Sequence, residues 1–396
     1  MTATTMTATE TGRESLDRVS IGLLLGFVAS LQVSIAVASI LLTATLLVWS
    51  VPLIQRREWP AAPAFFLPLA AYAGMTLLSA AFSLDPLTSL VDSKQLVLFL
   101  LVPAVYHIAR GGRARVVLDV VLSVGAASAV LGIIQYGVLH YDNLGQRPQG
   151  ALTHYMTYSG LIMLVIGSAV ARILFGVRDR TWPALVLPAL VVALALTFTR
   201  SAWVGTALAV AVLCVLKDFR LTAAVPVVIA LLFAAAPDAI STRMVSVFDV
   251  RDPTNRDRLA MMRTGTAMIA DHPLTGVGPN MVERVYADYR DPDAVATVNP
   301  HLHNVPLQIA AERGLPAAGV WLWFVAAVTL GLARLWRQGL DRTLAAAGLA
   351  AVVAMLAAGL FEYNFGDSEF LMLFLVLVTL PFAALRGDRA AALDRS

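Results

Sequence analysis

Charge is scarce in this chain. Of its 396 residues, 14% are Asp, Glu, Lys or Arg and 58% are hydrophobic. Soluble domains carry about 25% charged residues. With a mean hydropathy of +0.75, only a polytopic membrane protein fits. Cysteine is nearly missing too. The single thiol, Cys214, sits in the apolar run Ala-Val-Leu-Cys-Val-Leu and reads as a small core or lipid-facing residue. One cysteine excludes an intramolecular disulfide, and there is no zinc-ligand spacing. No Ser-His-Asp spacing, P-loop or dinucleotide fingerprint is present, and no nucleic-acid partner is expected. Inverted repeats and matched Gly/Pro-broken helices of the transporter kind are absent as well.

What the chain has is apolar runs. A spanning helix needs roughly 20 apolar residues. The pattern predicts an all-α protein of about twelve transmembrane helices, near 19–31, 33–54, 63–83, 95–109, 116–138, 152–173, 182–198, 202–216, 221–236, 315–334, 344–361 and 370–385. The first, fourth, eighth and ninth are short, and 19–54 could be one long helix. Residues 1–18 are polar and low in complexity, without the flanks of a signal peptide. They read as a disordered cytoplasmic tail. The expected organisation is 1–18 tail, 19–236 helices one to nine, 237–314 a large external loop containing short helices, 315–385 the last three helices, and 386–396 a cytoplasmic tail.

The positive-inside rule supports the even count. With an internal N-terminus, the inside segments hold Arg56, Arg57, Arg110, Arg113, Arg115, Arg178, Arg180, Lys217, Arg220, Arg337, Arg342, Arg386, Arg389 and Arg395. The short outside segments hold only Lys94, Arg147 and Arg200. Long loops are exempt from this rule, so the arginines of 237–314 need another explanation.

In a chain so short of polar groups, the few that face the outside are candidates for chemistry. His301-Leu-His303-Asn304 stands immediately before a helix. Pro306 belongs in a helix's first turn, so the helix starts near Val305 with Asn304 as N-cap. Asn304, Gln308, Ala311 and Glu312 then share one face. His303 at the positive end of the helix dipole is favoured as a neutral ring, which a general base requires. The plainer reading is that His301 and His303 anchor an interfacial loop. Arg200, in the tight turn Thr197-Phe-Thr-Arg-Ser-Ala-Trp203, either snorkels to lipid phosphates or binds an anion. Arg256, Arg258 and Arg263 are candidates for a diphosphate clamp, because guanidinium forks match phosphate oxygens. Their neighbours Asp252 and Asp257 could instead pair with some of them. Asp271-His-Pro-Leu-Thr-Gly-Val-Gly-Pro279 reads as a tight turn. Arg147 and His154 add to the external set. Glu362, Asp367 and Glu369 lie in the last external loop, where they could orient an acceptor or form a solvated acidic turn. Asp291-Pro-Asp293 matches a metal-holding D-x-D pattern that also arises often by chance.

The signature His303-Asn-x-x-Leu-Gln-x-x-x-Glu-x-Gly314 resembles the O-antigen ligase and polymerase superfamily. So does the order of elements over about 145–370: the Thr-Arg-Ser-Ala-Trp turn, Arg258-Leu, the Asp-His-Pro-Leu-x-Gly-Val-Gly-Pro turn and the His-Asn helix. The resemblance implies an inner-membrane glycosyltransferase of GT-C type, multi-pass, with its site facing the periplasm. It implies an undecaprenyl-diphosphate-linked glycan as donor, no nucleotide sugar, no cofactor and no metal. His303 would be the catalytic base, with His301 an extra ring that competes for the role and Glu312 as its helper. Arg200 and Arg258, with Arg263 and Arg147, would hold the diphosphate. Asn304, Gln308, Glu362 and Asp367 would face the acceptor. The expected acceptor is lipid A-core. A lipid-linked repeat would make the protein a polymerase, and a protein hydroxyl would make it an O-oligosaccharyltransferase. Membrane lipids surround the whole. A lipid or glycan transporter is the rival class.

Overall fold

The computed structural model describes residues 3–177, 180–235, 238–246, 249 and 251–393. Arg178 and Arg395 lie outside these. Sixteen α-helices form, with no strand among the described residues. The first nine are α1 (Ala3–Ser30), α2 (Ile35–Arg56), α3 (Phe66–Ala81), α4 (Pro86–Asp92), α5 (Leu101–Ile108), α6 (Arg113–Gly137), α7 (Tyr155–Phe175), α8 (Thr181–Leu196) and α9 (Arg200–Lys217). Then come α10 (Ala224–Ala235), α11 (Asp238–Val245), α12 (Pro253–Asp271), α13 (Val282–Tyr289), α14 (Val305–Arg337), α15 (Arg342–Gly359) and α16 (Ser368–Leu393).

Eight helical segments among the described residues are long and apolar enough to cross a membrane: 35–56, 86–108, 113–137, 155–175, 200–217, 305–337, 342–359 and 368–386. The protein is therefore a polytopic helical membrane protein. The other four expected spans are also helical, but 66–81, 181–196 and 219–228 are short, and α1 is apolar only in its second half. The 19–54 run is not one helix. It breaks at residues 31–34, where the Ser34 side chain caps α2 by accepting from Val37 N–H. The fourth span starts at Pro86 rather than 95, because a 3-10 stretch over Ser93–Leu100 joins α4 to α5 and carries Lys94 inside the helical segment.

The polar residues assigned above to a disordered tail are helical from Ala3. One reason is Asp17, which accepts from Arg110 at 2.9 Å and Arg113 at 2.6 Å and so ties α1 to the 110–113 turn.

The bundle is built around α15. Its sequence is mostly Ala and Gly, and small side chains let neighbouring backbones approach closely without a hydrophobic driving force. It packs against α7, α9, α14 and α16. Two sets of loops gather at its ends. At one end the basic turns meet: Arg115 pairs with Asp341 at 2.9 Å, and Arg386 lies 5.1 Å from the Tyr106 ring. At the other end lie the turns at 150–155, 197–200 and 360–367, together with the 238–304 region.

That region is not a loose loop. Met261 and Met268 of α12, Val277, Met281, Val282 and Val285, with Leu302 and Ala311, form a second small core. The stretch 272–280 straps the first part of α14. Val277 N–H donates to Ala311 O at 2.9 Å, and Gly278 N–H to Glu312 O at 2.8 Å. These carbonyls bond outward, and α14 breaks at Gly314 (φ 83, ψ 165), a conformation open essentially to glycine alone. A Cβ on Gly276 would meet the Glu312 backbone, so glycine sets how closely the strap lies. Ser79 Oγ of α3 donates to Thr275 O at 2.6 Å and to Glu312 O at 3.0 Å, pinning both from below.

Candidate functional site

Helix α14 begins at Val305, and Asn304 Oδ1 accepts from Leu307 N–H at 2.9 Å, so the expected N-cap forms. The residue before it is unusual. His303 has φ +47, a left-handed conformation that costs about 1–2 kcal/mol in a non-glycine residue. Gln308 holds this bend: its Oε1 accepts from Leu302 N–H at 2.7 Å. Asn304 Nδ2 donates to Leu360 O at 3.1 Å and joins the bend to the turn after α15. Glu362 projects from that turn.

Three side chains meet here. His303 Nδ1 lies 3.0 and 3.2 Å from the two oxygens of Glu362, and His301 Nε2 lies 3.3 Å from one of them. The two imidazole rings are 4.2 Å apart. Burial works to raise the Glu362 carboxyl, but the hydrogen bonds from His301 and His303 outweigh it and hold the group well below the usual carboxylate range. The rings differ in their second nitrogen. His301 Nδ1 is buried without a partner, so neither of its nitrogens is open to a substrate. His303 commits Nδ1 to Glu362, and its Nε2 has no hydrogen-bond partner among the described residues.

Beside this triad is a group of guanidinium ions. Arg258 of α12 stacks 5.9 Å from the Phe361 ring. Burial lowers its pKa, Glu362 opposes that, and Arg200 adds to it. Arg258 is thus within electrostatic reach of both the triad and the next arginine. Arg200 is 5% exposed. Its Nη1 donates to Ser246 O at 2.9 Å and Ser246 Oγ at 3.0 Å, and its Nη2 lies 3.3 Å from Asp252. Arg147 stacks over Tyr155 at 4.2 Å. Burial lowers its pKa too, and the Arg200 charge contributes. Arg243 of α11 approaches the other oxygen of Asp252 at 3.6 Å. Sequence reading passed over Arg243, because a lone arginine in a short mixed helix carries no spacing signal.

Several expected site residues sit elsewhere or do other work. Arg263 does not join the cluster. It pairs with Asp293 at 2.9 Å and Asp291 at 3.5 Å with 60% of its side chain exposed, so the D-x-D aspartates hold an arginine. Glu312 does not reach the histidines. It is buried, accepts from Asn280 N–H at 3.0 Å and pairs with Arg313 at 2.6 Å, fixing the strap to α14. Gln308 is buried behind the bend and positions it rather than facing an acceptor. Asp367 caps α16 by accepting from Phe370 N–H at 2.9 Å and also accepts from Thr157, while burial raises its carboxyl.

Residues 184–322 match the O-antigen ligase family. That match supports membership of the O-antigen ligase-like superfamily. No curated protein matches it. The matched part of this O-antigen ligase-like chain contains Arg200, Arg243, Arg258, His301, His303 and Glu312, whereas Arg147 and Glu362 lie outside it. The fold therefore completes the family segment with residues from two other turns.

His301, His303 and Glu362 offer three ligand atoms within 4.8 Å of one another, enough for a divalent ion. Histidine ligands usually donate their second N–H to an acceptor. His301 Nδ1 has none, and the nearby Arg258 charge opposes a cation. The donor set fits a hydrogen-bonded His-Glu pair better than a metal centre in this O-antigen ligase-like protein.

Proposed function

We propose that the protein is a metal-independent, inverting glycosyltransferase with a GT-C-type architecture of about twelve membrane spans. It moves a glycan from an undecaprenyl diphosphate carrier to an acceptor hydroxyl on the periplasmic face of a bacterial inner membrane. The observation that carries this reading is the His303–Glu362 contact beside Arg258. A base whose far nitrogen is engaged by a carboxylate stands next to guanidinium ions suited to a diphosphate.

With Nδ1–H donated to Glu362, Nε2 of His303 carries the lone pair. It takes the proton of the acceptor hydroxyl as that oxygen attacks the anomeric carbon. The bond from this carbon to the diphosphate breaks on the opposite face, and configuration inverts. Glu362 stabilises the imidazolium that forms, as a buried carboxylate does for a catalytic histidine. Arg258, Arg200 and Arg147 stabilise the departing diphosphate, which is where charge develops. An apolar groove of about 310 Å³ is lined by Val305, Pro306, Trp321, Met355 and Leu360 among others, residues close in the chain to His303 and Glu362. It suits the hydrocarbon chain of the carrier. The match to an O-antigen ligase family supports lipid A-core as the acceptor in this reading.

The test is transfer of labelled glycan from its polyprenyl diphosphate by the purified protein, offered lipid A-core, a lipid-linked repeat and a protein acceptor in turn. Transfer to lipid A-core is expected. His303→Ala should abolish transfer while insertion and thermal melting persist. Full activity in that variant removes His303 from the mechanism, and transfer only to a lipid-linked repeat makes the protein a polymerase.

A further inference from the structure

We propose that Arg243 is an anion-binding residue of the donor site, a fourth guanidinium that contacts the diphosphate leaving group. This rests on the proposed use of a diphosphate-linked donor. Arg200 and Arg243 share the Asp252 carboxylate from opposite oxygens, at 3.3 and 3.6 Å. They are not equally satisfied. Arg200 has Ser246 O and Oγ besides. Among the described residues, the Arg243 guanidinium has only the longer Asp252 contact, and its Nε is buried without a partner. A buried donor left unpaired is costly, and an anion arriving in the cluster would satisfy it.

Charge points the same way. Arg243 lies within electrostatic reach of Arg147, Arg200 and Arg258. Among the described residues, the carboxylates acting most strongly on these four are Asp252 and Glu362, and Glu362 is already engaged by two imidazoles. Asp252 is fixed as the cap of α12, accepting from Thr254 N–H at 3.0 Å, so it cannot swing to neutralise the rest. At least two positive charges thus remain without a counter-charge in a half-buried space. A ligand carrying two or more negative charges matches that excess. A single carboxylate does not.

The experiment uses the full-length protein in detergent, with inorganic pyrophosphate as probe. Calorimetry gives its affinity for wild type, Arg243→Gln and Arg243→Lys, and the transfer assay gives the donor KM and kcat. Arg243→Gln is expected to weaken pyrophosphate binding about tenfold, the scale of one charged hydrogen bond, and to raise donor KM by a similar factor with kcat less affected. Arg243→Lys keeps the charge but not the fork and should fall between the two. Should Arg243→Gln melt early, Arg243→Lys decides, because it can still reach Asp252. Wild-type pyrophosphate affinity in a folded variant overturns the proposal, as does a wild-type protein that binds no pyrophosphate. A protein that binds pyrophosphate through Arg243 but transfers no glycan would keep the anion site and remove the glycosyltransferase reading.

Discussion

The two histidines before α14 look equivalent in sequence and are not equivalent in space. What separates them is the fate of one nitrogen: His301 Nδ1 is buried, while His303 Nε2 is without a hydrogen-bond partner among the described residues. Glu362 serves both. Glu362→Gln should therefore lower kcat by about 10²–10⁴, the contribution of a correctly held base, with little change in donor KM. His301→Ala should cost much less than His303→Ala, since it removes a neighbour of Glu362 and not the base. Steady-state kinetics on the three variants checks this, and equal losses for both histidines would contradict the assignment.

Asp252 makes a prediction about pH. Burial raises its carboxyl, but Arg200 and its cap hydrogen bonds outweigh that and hold it low. A depressed carboxylate contributes stability that is present in full above its unfolded pKa, about 3.9. That contribution fades as pH falls through the folded value. The difference in melting temperature between wild type and Asp252→Asn should hold steady from neutral pH down to about pH 5 and narrow only in stronger acid. A gap that widened on acidification would refute the pairing.

At the scale of elements, the family signature divides into two jobs. The His-Asn end of the α14 segment carries the proposed chemistry. The Glu-x-Gly end is architecture: Glu312 and Arg313 are a buried pair, and Gly314 turns the chain between the first part of α14 and the rest of the helix. Removing one partner of a buried pair costs about 3–5 kcal/mol. Glu312→Ala should lower the melting temperature sharply, whereas Glu312→Gln can still accept from Asn280 N–H and should retain more activity per folded molecule. Melting and specific activity measured together distinguish this from a catalytic role, in which Gln would lose activity without losing stability. The helical periodicity put Asn304, Gln308 and Glu312 on one face. It gave no hint that Gln308 and Glu312 face inward, because Glu312 is covered by Asn280 of the strap, 32 residues away, and its carbonyl by Ser79 of α3, 233 residues away.

At the scale of the molecule, the reactive groups share one end of the bundle and the basic turns share the other. With Cys214→Ser as background, a cysteine at Asp142 should react with an impermeant maleimide added from the periplasmic side, and one at Gln338 should not. Labelling of both from the same side would break the twelve-span reading.

The sequence alone determined the solvent and the class. A chain this poor in charge has to place its helices in lipid, and its arginines bias which loops stay inside. Its local spacing also determined the N-cap at Asn304 and the start of α14, since capping depends on residues three or four apart. Only the tertiary structure decided which polar groups meet. It brought Glu362 to His303 and Arg243 to Arg200, and it sent Arg263 to Asp293 and Glu312 into the interior. Those outcomes depend on distances between turns of different helices, set by how an Ala-rich helix packs among its neighbours, and no local pattern of residues encodes them.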